Sequence, residues 1–169
     1  MPRSRLGVDK AAAEDSYRSE FQRDFDRLVF SSAFRRMQGK TQVFPLADND
    51  YVRTRLTHSL EASSVGRTLG TLVGEAVIAR HGIASEQLVA ADFGAVVAAA
   101  CLAHDLGNPP FGHSGEDAIQ TWFQDSLLGR QGLSQLTPAE QMDLLKFEGN
   151  AQGFRILARL QSPDSPGGM

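Results

Sequence analysis

The sequence predicts an all-α protein, mostly helical, with one small β-hairpin signal near residues 41–54. Apolar residues recur at helical spacing in six separate stretches. Cap and stop residues stand at the borders of several of them, among them Gly82, Ser85, Gly107 and the capping box Thr137-Pro-Ala-Glu140. β-forming residues gather around a turn cluster in one place only, where Thr41-Gln-Val-Phe-Pro45 and Tyr51-Val-Arg-Thr54 flank Ala47-Asp-Asn-Asp50.

Residues 1–16 are polar and lack periodicity, and they read as a mobile arm. Phe21, Phe25, Leu28, Val29 and Phe34 then recur at helical spacing over 17–37, and Gly39 ends that segment. After Thr54 a broad stripe runs through Leu56, Leu60, Val65, Leu69, Leu72, Val73, Ala76 and Val77, and it stops at His81-Gly82. Ser85 is the expected cap of a segment reaching Asp105 that is apolar on nearly all sides, the pattern of a helix buried at a domain's centre. Residues 114–128 predict an amphipathic helix with Ile119, Trp122, Phe123 and Leu127 inward, and 129–136 predict a loop. Proline at the first helical position starts the next helix, which carries Met142, Leu144, Leu145 and Phe147. A last segment, 151–160, has Phe154, Ile156, Leu157 and Leu160, and the chain closes in turn chemistry at 162–169.

At 169 residues the chain fits one domain, and 41% hydrophobic with 22% charged residues excludes wholesale disorder and collagen-like sequence. No apolar run approaches the roughly 18 residues of a membrane span, and the N-terminus lacks the apolar core of a secretory signal. Cys101 is the single cysteine, so no intramolecular disulfide can form, and a reducing, cytoplasmic setting is expected. Its alanine-rich surroundings predict a small buried residue rather than a nucleophile. The net charge of −3 argues against nucleic acid or an anionic membrane as main partner. Residues 1–60 carry 11 Lys/Arg against 8 Asp/Glu, and the rest carry 6 against 12. The basic first part suits an anionic ligand.

Three of the four histidines keep unusual company. His104 and Asp105 end the most apolar segment, where a His-Asp pair is expensive to bury without compensation. A divalent cation supplies it, since imidazole nitrogen and carboxylate oxygen suit a transition metal, Mg²⁺ or Mn²⁺. The rigid turn Asn108-Pro-Pro-Phe-Gly112 leads to His113 and Glu116, three apart at the start of a helix and so on one face. That pair suits acid–base work; a capping glutamate beside a locally bonded histidine is the plainer reading. His58 sits near Arg53 and Arg55, which give its surroundings a phosphate-directed character.

Four blocks carry a resemblance to a known family: Ser32-Ala-Phe-Arg-Arg-Met37 with Lys40-Thr-Gln-Val-Phe44; Arg53-Thr-Arg-Leu-Thr-His-Ser-Leu-Glu61; His104-Asp-Leu-Gly-Asn-Pro-Pro-Phe-Gly-His-Ser-Gly-Glu116; and Phe147-Glu-Gly-Asn-Ala-Gln152. From about residue 18 onward the chain resembles the deoxynucleoside triphosphate triphosphohydrolases (the dGTPase family) of the HD-domain superfamily. The resemblance implies a metal-dependent hydrolase that splits a dNTP into deoxynucleoside and intact triphosphate. It implies His58, His104 and Asp105 as metal ligands, His113 and Glu116 as catalytic residues, and Arg55 as a phosphate contact. Arg53, Lys40, Gln38, Gln42 and Asn108 join Arg55 as expected substrate-binding residues, with Asn150 and Gln152 lining or supporting the site. The bound metal is not chosen among Mg²⁺, Mn²⁺, Fe²⁺ and Co²⁺. A homo-oligomer is implied for the full-length form. The family also implies a fourth, distal aspartate ligand, and none of Asp117, Asp125, Asp143 or Asp164 has the expected context. Residues 17–169 therefore read as the N-terminal part of an HD phosphohydrolase domain, ending before its last metal ligand. Another HD-domain phosphohydrolase, such as a nucleotidase or cyclic-nucleotide phosphodiesterase, and a catalytically inactive fragment are the alternatives.

Overall fold

The computed structural model describes residues 19–42, 51–83 and 88–161. The arm expected over 1–16, the turn at 47–50, the cap at Ser85 and the closing segment 162–169 lie outside the described residues. The described residues form eight α-helices and no strand, as an all-α reading requires. The hairpin signal corresponds to a single antiparallel bridge between Thr41 and Thr54. Backbone hydrogen bonds from Gln42 to Arg53 (3.1 Å) and from Arg55 to Lys40 (2.8 Å) flank it.

Helix α1 (Glu20–Phe30) starts at Ser19, whose hydroxyl and the Gln22 side chain form a reciprocal capping box. The periodicity of 17–37 predicts one helix, but the chain breaks at Ser31. Its backbone is extended (φ −69°, ψ 148°), and its hydroxyl accepts from the Phe34 amide to start α2 (Ser32–Arg36). A serine cap inside an apolar repeat is the reason: it offers the backbone an alternative to continuing. A 3₁₀ turn, Met37–Gly39, follows. Leu28, Phe34 and Met37 close over Leu102 and Leu106 to make the core.

Helix α3 (Arg55–His81) keeps the expected ends, with Thr54 capping its start and Gly82 in the left-handed region (φ 61°) stopping it. Its buried face corrects the sequence reading. Ser59, Ser63, Gly66, Gly70 and Gly74 face inward, while Leu60, Val65, Leu69, Leu72 and Val73 are exposed. The partner is α4 (Ala90–Ala103), which runs antiparallel so closely that side chains have no room. A Cβ at Gly70 would stand 2.8 Å from the Phe93 carbonyl oxygen. Backbone proximity outweighs hydrophobic periodicity here, because only small residues admit it.

Helix α4 is not enclosed on all sides as its composition suggests. Ala95, Ala98 and Leu102 are buried, but Val96 and Val97 reach solvent. Its first turn is capped by Asp92, whose carboxylate accepts from the Val89 amide at 3.0 Å. Cys101 is half-buried against the α3 seam.

Helix α5 (His113–Asp125) ends earlier than expected, because Ser126 caps a separate helix, α6 (Leu127–Leu133), where the sequence suggests a loop. Trp122 and Leu127, expected inward, are exposed. Helix α7 (Pro138–Leu145) forms on its predicted capping box. Helix α8 (Gly149–Arg155) begins at a Glu148 cap and continues into a π-helical turn, Ile156–Leu160. Among the described residues no helix is long and apolar enough to cross a membrane.

Candidate metal and phosphate site

The site gathers where three chain segments meet: the start of α3, the end of α4, and the turn that leads into α5. Leu106 is buried in the core and pins the turn after α4. Asp105 is held inward beside it, while the His104 side chain is 42% exposed. The antiparallel seam brings His58 alongside. One ligand atom each from His58, His104 and Asp105 lies within 4.8 Å of the others, and among the described residues this is the single cluster of metal-ligating type. The two imidazole rings meet edge to face, 5.3 Å apart at their centroids.

Local hydrogen bonds prepare these donors. His104 Nδ1 lies 2.7 Å from the Cys101 carbonyl oxygen, an acceptor, so Nδ1 is the donor there and Nε2 is the ring nitrogen turned toward Asp105. Asp105 Oδ1 accepts from Arg55 Nη1 at 2.9 Å and from Asn108 Nδ2 at 2.5 Å. Its other oxygen, Oδ2, is buried without a hydrogen-bond partner and stands 3.5 Å from His104 Nε2. An unpartnered buried carboxylate oxygen costs about 1–3 kcal/mol or more. A cation between Asp105 Oδ2, His104 Nε2 and the His58 ring removes that cost, so the donor set fits a divalent ion on its own chemistry.

Arg55 is itself buried, and it neutralises Asp105. Its Nε has no partner. Beside it opens a cleft of about 730 Å³, lined by Thr41, Gln42, Asn108, Phe111, Gly112 and His113 among others. The Gln42 amide oxygen is also buried without a partner. Lys40 lies just behind this wall and donates to the Asn108 carbonyl at 2.7 Å. Burial, together with repulsion from Arg36 and Arg55, pulls the Lys40 pKa down, while Asp105 works the other way.

Pro109 and Pro110 shape the rim. They deliver Phe111 in the left-handed region (φ 68°), the only such non-glycine among the described residues, with its ring exposed. His113 then opens α5 with its side chain in solvent. His113 Nδ1 lies 2.9 Å from Glu116 Oε2, and Glu116 Oε1 accepts from the Gly149 amide at 2.8 Å. The Glu116 hydrogen bond, its charge, and the further charges of Asp117 and Glu148 raise the His113 pKa above its ordinary 6.5. Amide donation from Ala151 and Asn150 holds Glu148 below the usual carboxylate range. A Cβ at Gly149 would meet the ends of the Asn108 and Glu116 side chains, which would have to move to admit it.

The structure thus brings Arg55, His58, His104, Asp105, Asn108 and Lys40 into one contact network, with Gln42 and His113 on the cleft wall. Two expected residues point elsewhere. Arg53 is exposed and pairs with Glu61 at 2.8 Å, and the Gln38 side chain accepts from the Thr54 hydroxyl at 3.2 Å. Asn150 is exposed and bonds Glu148, while Gln152 is half-buried in α8. Neither lines the cleft. Two groups escaped the sequence reading, the Cys101 carbonyl and the Gly149 amide. Both are backbone groups, which no side-chain pattern announces.

Comparison with known proteins gives this geometry a lineage. The HD domain matches residues 55–147, the stretch that holds all three candidate ligands. A deoxyguanosinetriphosphate triphosphohydrolase-like protein of Synechocystis is 54% identical over 171 residues, covering 100% of this chain and 38% of its own length. One of Pseudomonas aeruginosa is 52% identical over 168 residues (99% and 37%). A deoxyguanosinetriphosphate triphosphohydrolase of Klebsiella pneumoniae is 42% identical over 168 residues (83% and 33%). The chain spans 33–38% of the length of these relatives. With its HD dipeptide at the centre of the donor cluster, the chain belongs to the HD-domain family.

Proposed function

We propose that this chain carries the metal and phosphate half of a dNTP triphosphohydrolase site. The observation that carries the reading is the His58, His104 and Asp105 cluster, with one buried carboxylate oxygen unpartnered, beside a cleft that holds a buried arginine. The names of the relatives support dGTP as the substrate to try first. A divalent ion at the cluster would supply Lewis acidity toward phosphate oxygens and acidify water.

In this reading Arg55 keeps Nη1 on Asp105 and turns its remaining nitrogens to the triphosphate. Lys40 adds positive potential from behind the wall, and Gln42 offers its side chain to the substrate. Water attacks the α-phosphorus, and the bond from that phosphorus to the 5′-oxygen breaks. The deoxynucleoside leaves with a proton on its 5′-oxygen, and triphosphate departs whole. His113, held by Glu116, is the group at hand to move a proton at Nε2. Arg53 and Gln38 have the weakest claim in this scheme, given their partners.

The test is a product assay. The purified chain is incubated with Mn²⁺ and dGTP, and products are separated by chromatography and ³¹P NMR. Deoxyguanosine with intact triphosphate is expected, and both should vanish in His104→Ala and Asp105→Ala together with Mn²⁺ uptake. Release of orthophosphate or pyrophosphate in place of triphosphate, or no Mn²⁺ uptake by the unaltered chain, would overturn the reading.

A further inference from the structure

Asp105 divides its two oxygens unequally. Oδ1 takes two donors, from Arg55 and Asn108, while Oδ2 takes none. A carboxylate held at neither oxygen can turn about its own axis and chelate an ion through both. One held at Oδ1 from two directions cannot. The donors come from separate segments, Arg55 from the start of α3 and Asn108 from the turn below α4, so together they fix the carboxylate plane as well as its position. Asn108 is fixed in turn. Its carbonyl accepts from Lys40, its backbone amide donates to the Asp105 carbonyl at 3.3 Å, and its side chain packs on the bare Cα of Gly149.

We infer that Asn108 is a positioning residue for Asp105, and that it and Arg55 restrict Asp105 to binding an ion through Oδ2 alone. The inference rests on the proposed metal site. It gives Asn108, which also lines the cleft, a task besides touching substrate, since one of its amide N–H groups is given to the carboxylate.

The experiment compares the chain with its Asn108→Ala variant. Mn²⁺ affinity is followed by the EPR signal of free ion, and Co²⁺ absorption spectra report the coordination. Truncation should weaken Mn²⁺ binding by roughly 10- to 100-fold, the range seen when a ligand's outer partner is lost. It should also alter the Co²⁺ spectrum as Oδ1 becomes available, with helical circular dichroism unchanged. Equal affinity and an identical Co²⁺ spectrum in a folded variant would overturn the role of Asn108 and leave the metal site standing. Failure of the unaltered chain to take up Mn²⁺ would overturn the proposed function itself. If the variant does not fold, the unaltered chain still decides. One Asn108 side-chain amide proton should resonate downfield and exchange slowly both with and without Zn²⁺. Two ordinary, fast-exchanging amide protons in the Zn²⁺-loaded chain would overturn the inference.

Discussion

Replacing Gly70 with alanine is the sharpest test of how α3 and α4 pack. Alanine is the better helix former, and in an open helix interior the exchange stabilises by about 1 kcal/mol. Here the new Cβ would stand 2.8 Å from the Phe93 carbonyl oxygen and 3.0 Å from Val97 Cβ and Cγ2. The first of these is backbone and cannot swing aside, so the helices must separate. Overpacking of this kind costs about 1–3 kcal/mol. The same exchange at Gly132, in α6, meets nothing within 4 Å. Gly70→Ala should therefore lose up to about 2 kcal/mol net, and Gly132→Ala should gain up to about 1 kcal/mol. For a chain of this size that is a Tm lower by up to roughly 8 °C in one case and higher by up to roughly 4 °C in the other. Thermal unfolding followed by far-UV circular dichroism measures both. A Gly70→Ala variant more stable than the original by about 1 kcal/mol, the gain of an open helix position, would refute the close approach, whatever Gly132→Ala does.

Two further outcomes follow from the turn into α5. The His113 imidazole should titrate above 6.5 by NMR, and Glu116→Gln should bring its midpoint down, leaving Asp117 and Glu148 as the remaining influences. Because folding raises this pKa, the pair's contribution to stability is full below about pH 6.5 and fades as pH climbs through the folded value; an unchanged midpoint in Glu116→Gln would contradict the hydrogen bond. Phe111→Gly should relieve about 1–2 kcal/mol of left-handed strain against about 0.5–1 kcal/mol of added chain entropy. The variant should therefore be at least as stable as the original, and a clear fall in Tm would contradict the positive φ of Phe111.

The class of the fold and most of its helix borders were legible because caps are local chemistry. Ser19, Thr54, Gly82 and the Thr137 box act within a turn of themselves, and the structure uses each. Gly82 and the Thr137 box could be read directly, the start after Thr54 showed in the apolar repeat, and Ser31 and Ser126 are caps that the repeat around them concealed. Burial was less legible. The repeat on α3 names the Leu and Val stripe, yet the packed face holds glycine and serine. Periodicity records where apolar side chains lie, not which face a neighbour can approach. At the candidate site, the His104-Asp105 dipeptide at the end of an apolar helix and the three-residue spacing of His113 and Glu116 were legible, and the structure places each pair side by side. The unequal use of the Asp105 oxygens was not legible, because it depends on where α3 starts relative to the end of α4.

That dependence ties the seam to the site. Ser63 donates to the Ala98 carbonyl at 3.0 Å and locks the register of the two helices. His58 lies just over one turn beyond Ser63 toward the start of α3, and His104 lies beyond Ala98 at the end of α4. Antiparallel chains advance in opposite directions, so one register brings the two imidazoles together and any shift along the seam parts them. A slip of one residue would move His58 by about 1.5 Å along its axis and rotate it by about 100°. Either change removes it from the ligand cluster. The separation across the seam acts in the same way. Large residues at positions 66, 70 and 74 would push the axes toward the usual 8–10 Å spacing, and the span between His58 and Asp105 would grow with it. The small residues that leave α3's apolar stripe in solvent are thus the same residues that let three donors meet within 4.8 Å.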